Sequence, residues 1–144
     1  MKRHEALAPL SREHHSTLIL AQLLKKGAPL YKGLPDTDTG KASYAEQQFK
    51  EIIRKHFQDE ELVLQKIKHC NTVISSFSTE IINEHRKLEA LFLSLNKATG
   101  LADVLDELGR MLEAHIRKEE RVLFPLIQSH CSEEDLQQVY VLLH

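Results

Sequence analysis

The chain has 144 residues, the length of one domain with a core of its own. Its 19 basic and 21 acidic side chains nearly balance, which argues against a nucleic-acid partner. No apolar run approaches the roughly 20 residues that span a bilayer, and the N-terminal residues form no signal-peptide core. We therefore expect one cytoplasmic domain over residues 1–144, with neither nucleic-acid nor membrane partners.

Glycine and proline residues divide the chain into helical segments. Apolar residues at helical spacing predict helices over 11–26, 42–69, 73–97 and 101–130, with a long loop over 27–41. Pro125 is expected to kink the fourth helix just past its candidate site. Ser132 and Asp135 form a capping-box pattern that opens a short fifth helix. The predicted fold is all-α: an antiparallel up-down-up-down four-helix bundle with a short C-terminal helix.

Two stretches of the chain repeat the motif His-x-x-x-Glu, at His56–Glu60 and at His115–Glu119. Residues four apart lie on the same helix face, so each motif presents an imidazole and a carboxylate together. A Glu-His pair precedes each motif, at 13–14 and at 84–85. All four histidines fall near the middle of a predicted helix, so the bundle should bring them to one height.

This pattern predicts a metal site. Buried carboxylates without partners cost several kcal/mol each, and no lysine or arginine shares the face to neutralise both of them. Imidazole with carboxylate suits iron, zinc, copper or manganese, and the chain has no Cys-x-x-Cys for structural zinc. We expect two iron ions, with zinc as a possible substitute. The predicted ligands are His14 and His56 on one ion, His85 and His115 on the other, and Glu60 and Glu119 bridging both.

Several neighbouring residues compete with the predicted ligands or support them. The first helix offers His14 or His15, and we favour His14 because it shares the face of the apolar residues and aligns with His85. Glu61 and Glu120 point about 100° away from the ligand before them and should be solvated or hold a ligand histidine. Glu13 and Glu84 could hold a ligand histidine only if neighbouring turns allow it.

The order of these motifs, with the run Glu-Glu-Arg-Val-Leu-Phe-Pro at 119–125, resembles the hemerythrin-like, or HHE cation-binding, family. The resemblance covers residues 5–130. It implies an antiparallel four-helix bundle with a non-haem di-iron site held by the six residues named above. The ferritin-like bundles are the rival class, but their Glu-x-x-His signature does not occur in this chain.

The third helix departs from the pattern of the invertebrate oxygen carriers in this family, which supply two histidines four residues apart. Here Glu89 lies four residues after His85 and Ile81 four residues before it. Glu89 is either a substitute oxygen ligand or a surface residue. The departure argues against reversible oxygen carriage and favours binding or sensing of oxygen, nitric oxide or peroxide in iron or redox homeostasis.

We expect a metal-binding and ligand-binding protein rather than an enzyme, as a monomer or weak homo-oligomer. The alternative is a structural or sensory module that a metal stabilises and a protein partner reads. Two further repeated pairs, His69-Cys70 and His130-Cys131, fall near helix ends at one pole. A redox-active thiol pair or an accessory metal site is conceivable there, and we interpret them as two reduced cysteines at matching ends.

Overall fold

The computed structural model describes residues 2–144, and all of its regular structure is helical. Helix α1 spans Ala8–Leu24, and α4 spans Thr72–Ser94. The second long segment joins α2 (Asp38–Gln48), a π-helical turn (Phe49–Ile53) and α3 (Arg54–Ile67). The fourth joins α5 (Leu101–Lys118), a π-helical turn (Glu119–Leu123) and α6 (Phe124–His130), and α7 (Glu133–Leu143) follows. The predicted bundle with a short C-terminal helix is confirmed.

The helix boundaries differ from the predicted ones in places that have a local cause. Helix α1 begins three residues early because Pro9, in its first turn, has no N–H to leave unpaired. The predicted loop is shorter because the side chain of Thr37 accepts a hydrogen bond from Gly40 N at 3.1 Å and caps α2. The capping box of Ser132 and Asp135 opens α7 as expected.

The irregularity expected at Pro125 lies earlier in the chain than predicted. The fourth segment stays helical through Pro125, and a π-helical turn over Glu119–Leu123 precedes it. A second π-helical turn, Phe49–Ile53, lies just before His56. Such turns are common at functional sites because they redirect the side chains around them.

Two apolar clusters fill the bundle on either side of a polar layer. The first core cluster includes Leu20, Phe49, Phe92, Leu108 and Leu112. The second core cluster includes Leu10, Ile67, Ile81, Ile127 and Val139. Every long segment passes from one cluster to the other. His14 and His85 lie at the crossing in the first and third segments, and in the second and fourth segments Glu60 and Glu119 lie there, one turn after their histidines. The four histidines therefore share one layer.

Helix α7 closes one end of the bundle. Its Leu136 and Val139 are buried in the second core cluster, so the C-terminal helix packs on its own chain. None of the helices in residues 2–144 is long and apolar enough to cross a membrane.

Candidate metal centre

The structure brings the six predicted ligands together in the polar layer, where all are buried. Their potential ligand atoms form two overlapping groups, each with every atom within 4.8 Å of the others. The groups are His14 and His56 with Glu60 and Glu119, and His85 and His115 with the same two glutamates. His15 is exposed, so His14 is the histidine that α1 directs into the layer.

The Nε2 atom of every histidine in this layer faces one of the two shared glutamates. These distances are 3.3 Å from His56 and 3.0 Å from His85 to Glu60, and 3.1 Å from His115 and 3.3 Å from His14 to Glu119. The two glutamates lie in the middle of the cluster, between the two histidine pairs. A metal on either side could therefore reach both carboxylates.

A second glutamate faces the Nδ1 atom of each histidine. We call these four residues the outer carboxylates: Glu13, Glu61, Glu84 and Glu120. The Nδ1···O distances are 2.9 Å from His56 to Glu13, 2.9 Å from His85 to Glu61, 2.7 Å from His115 to Glu84 and 3.3 Å from His14 to Glu120. Each outer carboxylate comes from the long segment preceding that of its histidine, and the fourth segment returns to the first. The contacts form a closed ring.

The outer carboxylates fix the chemistry of the imidazoles. An ionised carboxylate only accepts hydrogen bonds, so the Nδ1 atom that faces it carries the proton and donates. In a neutral imidazole the lone pair then lies on Nε2, which points to the centre of the layer. A carboxylate behind a histidine is the usual support of a metal-binding imidazole and increases its basicity.

Buried polar atoms at the centre lack hydrogen-bond partners, which tests whether a metal fits. They are Nε2 of His14, His56 and His115, Oε2 of Glu60, and both carboxylate oxygens of Glu119. Unpaired buried groups are rare because each one loses its hydration. All of these atoms are metal ligands by type, and they converge. The residues fit bound metal.

The electrostatics of the layer favour positive charge between the two shared glutamates. Burial opposes protonation of His14, but the nearby carboxylates of Glu119, Glu120 and Glu60 raise its pKa to about 12. The same balance of burial and nearby carboxylates raises the pKa of His56 to about 9 and that of His115 to about 10. Burial opposes ionisation of Glu60, yet the charge of His56 and other close neighbours hold its pKa well below the usual value.

Aromatic rings and surface cations enclose the layer. Phe57 stacks on His85 with ring centres 4.0 Å apart, and Phe124 lies parallel to His14 at 5.7 Å. Three outer carboxylates also bind surface cations: Arg3 contacts Glu120, Arg86 contacts Glu61 and Lys118 contacts Glu84. Burial raises the pKa values of Glu120 and Glu84, but the neighbouring histidines and the contacts with Arg3 and Lys118 lower them on balance.

Glu89 lies outside both groups of potential ligands. Its carboxylate pairs with Arg86 at 3.3 Å and lines a cavity of about 190 Å³ together with Phe57 and Glu61. A second cavity of about 230 Å³ is lined by Glu84 and His115, among others. His115 lines the second cavity directly, whereas the first cavity lies beside the outer carboxylate Glu61.

Sequence reasoning missed part of this centre. The sequence did not indicate that Phe57 and Phe124 pack on the histidines or that three surface cations bind the outer carboxylates. In each case the partner lies on another helix. The outer carboxylates did carry one: each is adjacent in sequence to a predicted ligand, in the repeated pairs Glu-His and Glu-Glu.

Comparison with known protein families agrees with the fold and with this layer. The family described as hemerythrin HHE cation binding domain matches residues 5–127 and, in a second match, residues 76–144. The chain belongs to this family of helical metal-binding domains. No match was found among curated proteins or among solved structures.

Proposed function

We propose that the chain is a single-domain, non-haem di-iron binding protein. One iron would be held by His14 and His56 and the other by His85 and His115, with Glu60 and Glu119 shared between them. The observation that carries the proposal is the pair of overlapping four-residue groups that share two glutamates. Two adjacent ions can share both glutamates, whereas a single ion would occupy only one of the two groups.

The donor set favours iron over zinc. Each ion would receive two imidazoles and two shared carboxylates, whereas closed structural zinc sites are built mainly on cysteine thiolates. Mixed histidine and carboxylate sites with open positions are typical of non-haem iron. Bound iron would supply open coordination positions for oxygen, nitric oxide or peroxide. The chain would orient the imidazoles through the outer carboxylates and limit access by water through Phe57 and Phe124.

We propose ligand binding or sensing rather than catalysis as the role of this centre, in iron or redox homeostasis. The cavity that His115 lines, of about 230 Å³, is large enough for a diatomic molecule or peroxide. A cytoplasmic location and a monomeric or weakly associating state stay predictions of the sequence. The alternative role, a module whose bundle depends on metal and is read by a partner, is supported by the buried glutamates that need a cation.

Metal content tests the proposal through two adjacent histidines of α1. We expect the wild-type chain expressed with added iron to hold about two irons, with a visible absorption that changes on reduction and returns in air. The variant His14→Ala should lose one iron or both, because a buried ligand is removed. His15→Ala is the matched control and should keep the wild-type content, because this side chain is exposed.

Other outcomes would contradict the proposal. A single tightly bound zinc that persists in iron-rich medium would indicate a structural zinc site and not a di-iron centre. Equal metal content in both variants would show that the layer does not hold the metal. Steady turnover of peroxide or oxygen, in place of stoichiometric binding, would make the protein an enzyme.

A further inference from the structure

The two cysteines of the chain meet at one pole of the bundle. Cys70 ends the 3₁₀ turn that follows α3, and Cys131 directly follows α6. Both are free thiols, and their sulfur atoms lie 2.6 Å apart. A disulfide bond is about 2.05 Å long, so little movement separates this contact from a bond. We propose that Cys70 and Cys131 form a reversible disulfide within the chain.

The surroundings of the pair favour a stable reduced form that an oxidant can reach. Cys131 is buried in the second core cluster, whereas Cys70 is partly exposed beside it. The thiol of Cys70 donates to Asp135 at 3.5 Å, and that of Cys131 points at Cys70. Burial raises the pKa of both thiols, so few thiolates exist near neutral pH and oxidation is slow.

Hydrogen peroxide is the oxidant that completes the reaction. The Cys70 thiolate attacks one peroxide oxygen, the O–O bond breaks, and Cys70 becomes a sulfenic acid as the first water leaves. The sulfur of Cys131, after losing its proton, then attacks the Cys70 sulfur. The S–S bond forms, the S–O bond breaks, and the hydroxide leaves with a proton as the second water. Two thiols have lost two protons and two electrons, and one peroxide has become two waters.

The bond would tie together the two long segments that carry the His-x-x-x-Glu motifs. Cys70 follows Glu60 along the second segment, and Cys131 follows Glu119 along the fourth. These segments alternate with the other two in chain order and so stand diagonally in the bundle. Their glutamates Glu60 and Glu119 already meet in the polar layer, and the disulfide would add a covalent link between the segments at one pole. The partners are 61 positions apart in the sequence, and a loop of this length restricts the unfolded chain strongly when it is closed.

The alternative function of this pole is metal binding. His69, Cys70 and Asp135 place possible ligand atoms within 4.8 Å of one another, with the His69 ring 3.3 Å from Asp135. Two thiolates on a tetrahedral zinc would stand about 3.8 Å apart, farther than the 2.6 Å seen between the sulfurs. The side chain of His69 is also 62% exposed. The spacing and exposure favour the disulfide.

The test counts free thiols in the full chain as purified with its metal. The protein is treated with a moderate excess of hydrogen peroxide, alkylated under denaturing conditions and analysed by mass spectrometry. We expect both alkylation sites to be lost together, a cross-linked peptide containing Cys70 and Cys131, and recovery of both thiols with dithiothreitol. The oxidised chain should also unfold at a temperature roughly 5 to 15 °C higher than the reduced chain.

The variants Cys70→Ser and Cys131→Ser are the matched controls, since each leaves one thiol in place. Neither should gain thermal stability from peroxide, so any change in them reports oxidation elsewhere. Two thiols that stay fully reactive after treatment would overturn the proposal. So would disulfide-linked dimers on a non-reducing gel, or thiols that added Zn²⁺ shields from alkylation in the absence of any cross-linked peptide.

Discussion

Each histidine of the polar layer depends on one glutamate for its orientation. Glu84 is the clearest case, because its carboxylate lies 2.7 Å from His115 Nδ1 and also binds Lys118. Burial opposes its ionisation, but the hydrogen bonds from His115 and Lys118 lower the pKa of Glu84 to about 2. The carboxylate is therefore ionised under all ordinary conditions and keeps the proton of His115 on Nδ1.

The variant Glu84→Gln should weaken iron binding without removing a ligand. The amide keeps the size of the side chain but loses the charge that holds the imidazole in its metal-binding form. Loss of such a support costs about 10- to 100-fold in metal affinity. We expect a loss in this range when iron is titrated against a competing chelator.

Glu80→Gln provides the control for this experiment. Glu80 also binds Lys118, at 2.6 Å, but it is exposed on the outside of α4. The iron affinity of the Glu80→Gln variant should stay within about twofold of wild type, because an exposed ion pair contributes little. An equal loss in both variants would assign the effect to Lys118 and not to His115.

At the level of elements, close packing between α1 and α5 depends on a glycine. A side-chain carbon added at Gly109 would lie 2.6 Å from the backbone oxygen of Ala21 and 3.2 Å from Leu24 Cβ. The first distance is too short for any real contact, and backbone cannot move aside as a flexible side chain does. The glycine lets α5 approach α1 closely just before the turn that carries His115.

The variant Gly109→Ala should be less stable than wild type. Helix propensity alone would favour alanine by up to about 1 kcal/mol, so a loss of stability shows that packing dominates. Overpacking of this kind costs about 1–3 kcal/mol, which lowers the melting temperature by roughly 3 to 10 °C. Ser76→Ala at an exposed position of α4 should show only the small effect of propensity. A more stable Gly109→Ala chain would mean that the helices can separate freely.

The elements also show how far the sequence predicts this molecule. Apolar spacing and the paired motifs were enough for four long helices, their common height and the choice of His14 over His15. The two π-helical turns were not predicted, although Pro125 indicated an irregularity close to the second one. The partner of each outer carboxylate was not predictable either. Glu13 supports His56 and not its neighbour His14, which depends on how the helices rotate against each other.

At the scale of the whole molecule, the bundle buries two carboxylates, Glu60 and Glu119, that form no ion pair with a lysine or an arginine of residues 2–144. Surface cations bind three outer carboxylates, whereas the ion-pair partners of Glu60 and Glu119 are histidines. The positive charge beside these two glutamates must come from protonated imidazoles or from metal. Protons and metal ions therefore compete for the same four histidines.

This competition predicts how the metal-free protein responds to pH. The pKa values of about 12 for His14, 9 for His56 and 10 for His115 exceed the usual value near 6.5. Their contribution to stability is fully present below pH 6.5 and is lost as pH rises through the folded pKa values. We expect the free energy of unfolding of the metal-free chain to fall as pH rises from 6.5 through the folded pKa values of about 9 and 10 and towards that of about 12.

The iron-loaded chain is the comparison for this measurement. Its histidines bind metal in their neutral form, so raising the pH removes no proton from them and stability should change much less. Chemical denaturation at several pH values would give both curves. A metal-free chain that becomes more stable as pH rises would show that its histidines are neutral in the folded state.

The closed ring of outer carboxylates has a mechanical consequence. Every long segment gives one carboxylate to the next segment and receives one through its own histidine, so each is held on two sides. Rotation or sliding of a single segment would break two of these contacts at once. A movement that preserves the ring must therefore be concerted, with all four segments turning together. A structural change that starts at the centre and moves the helices would therefore displace both poles of the bundle.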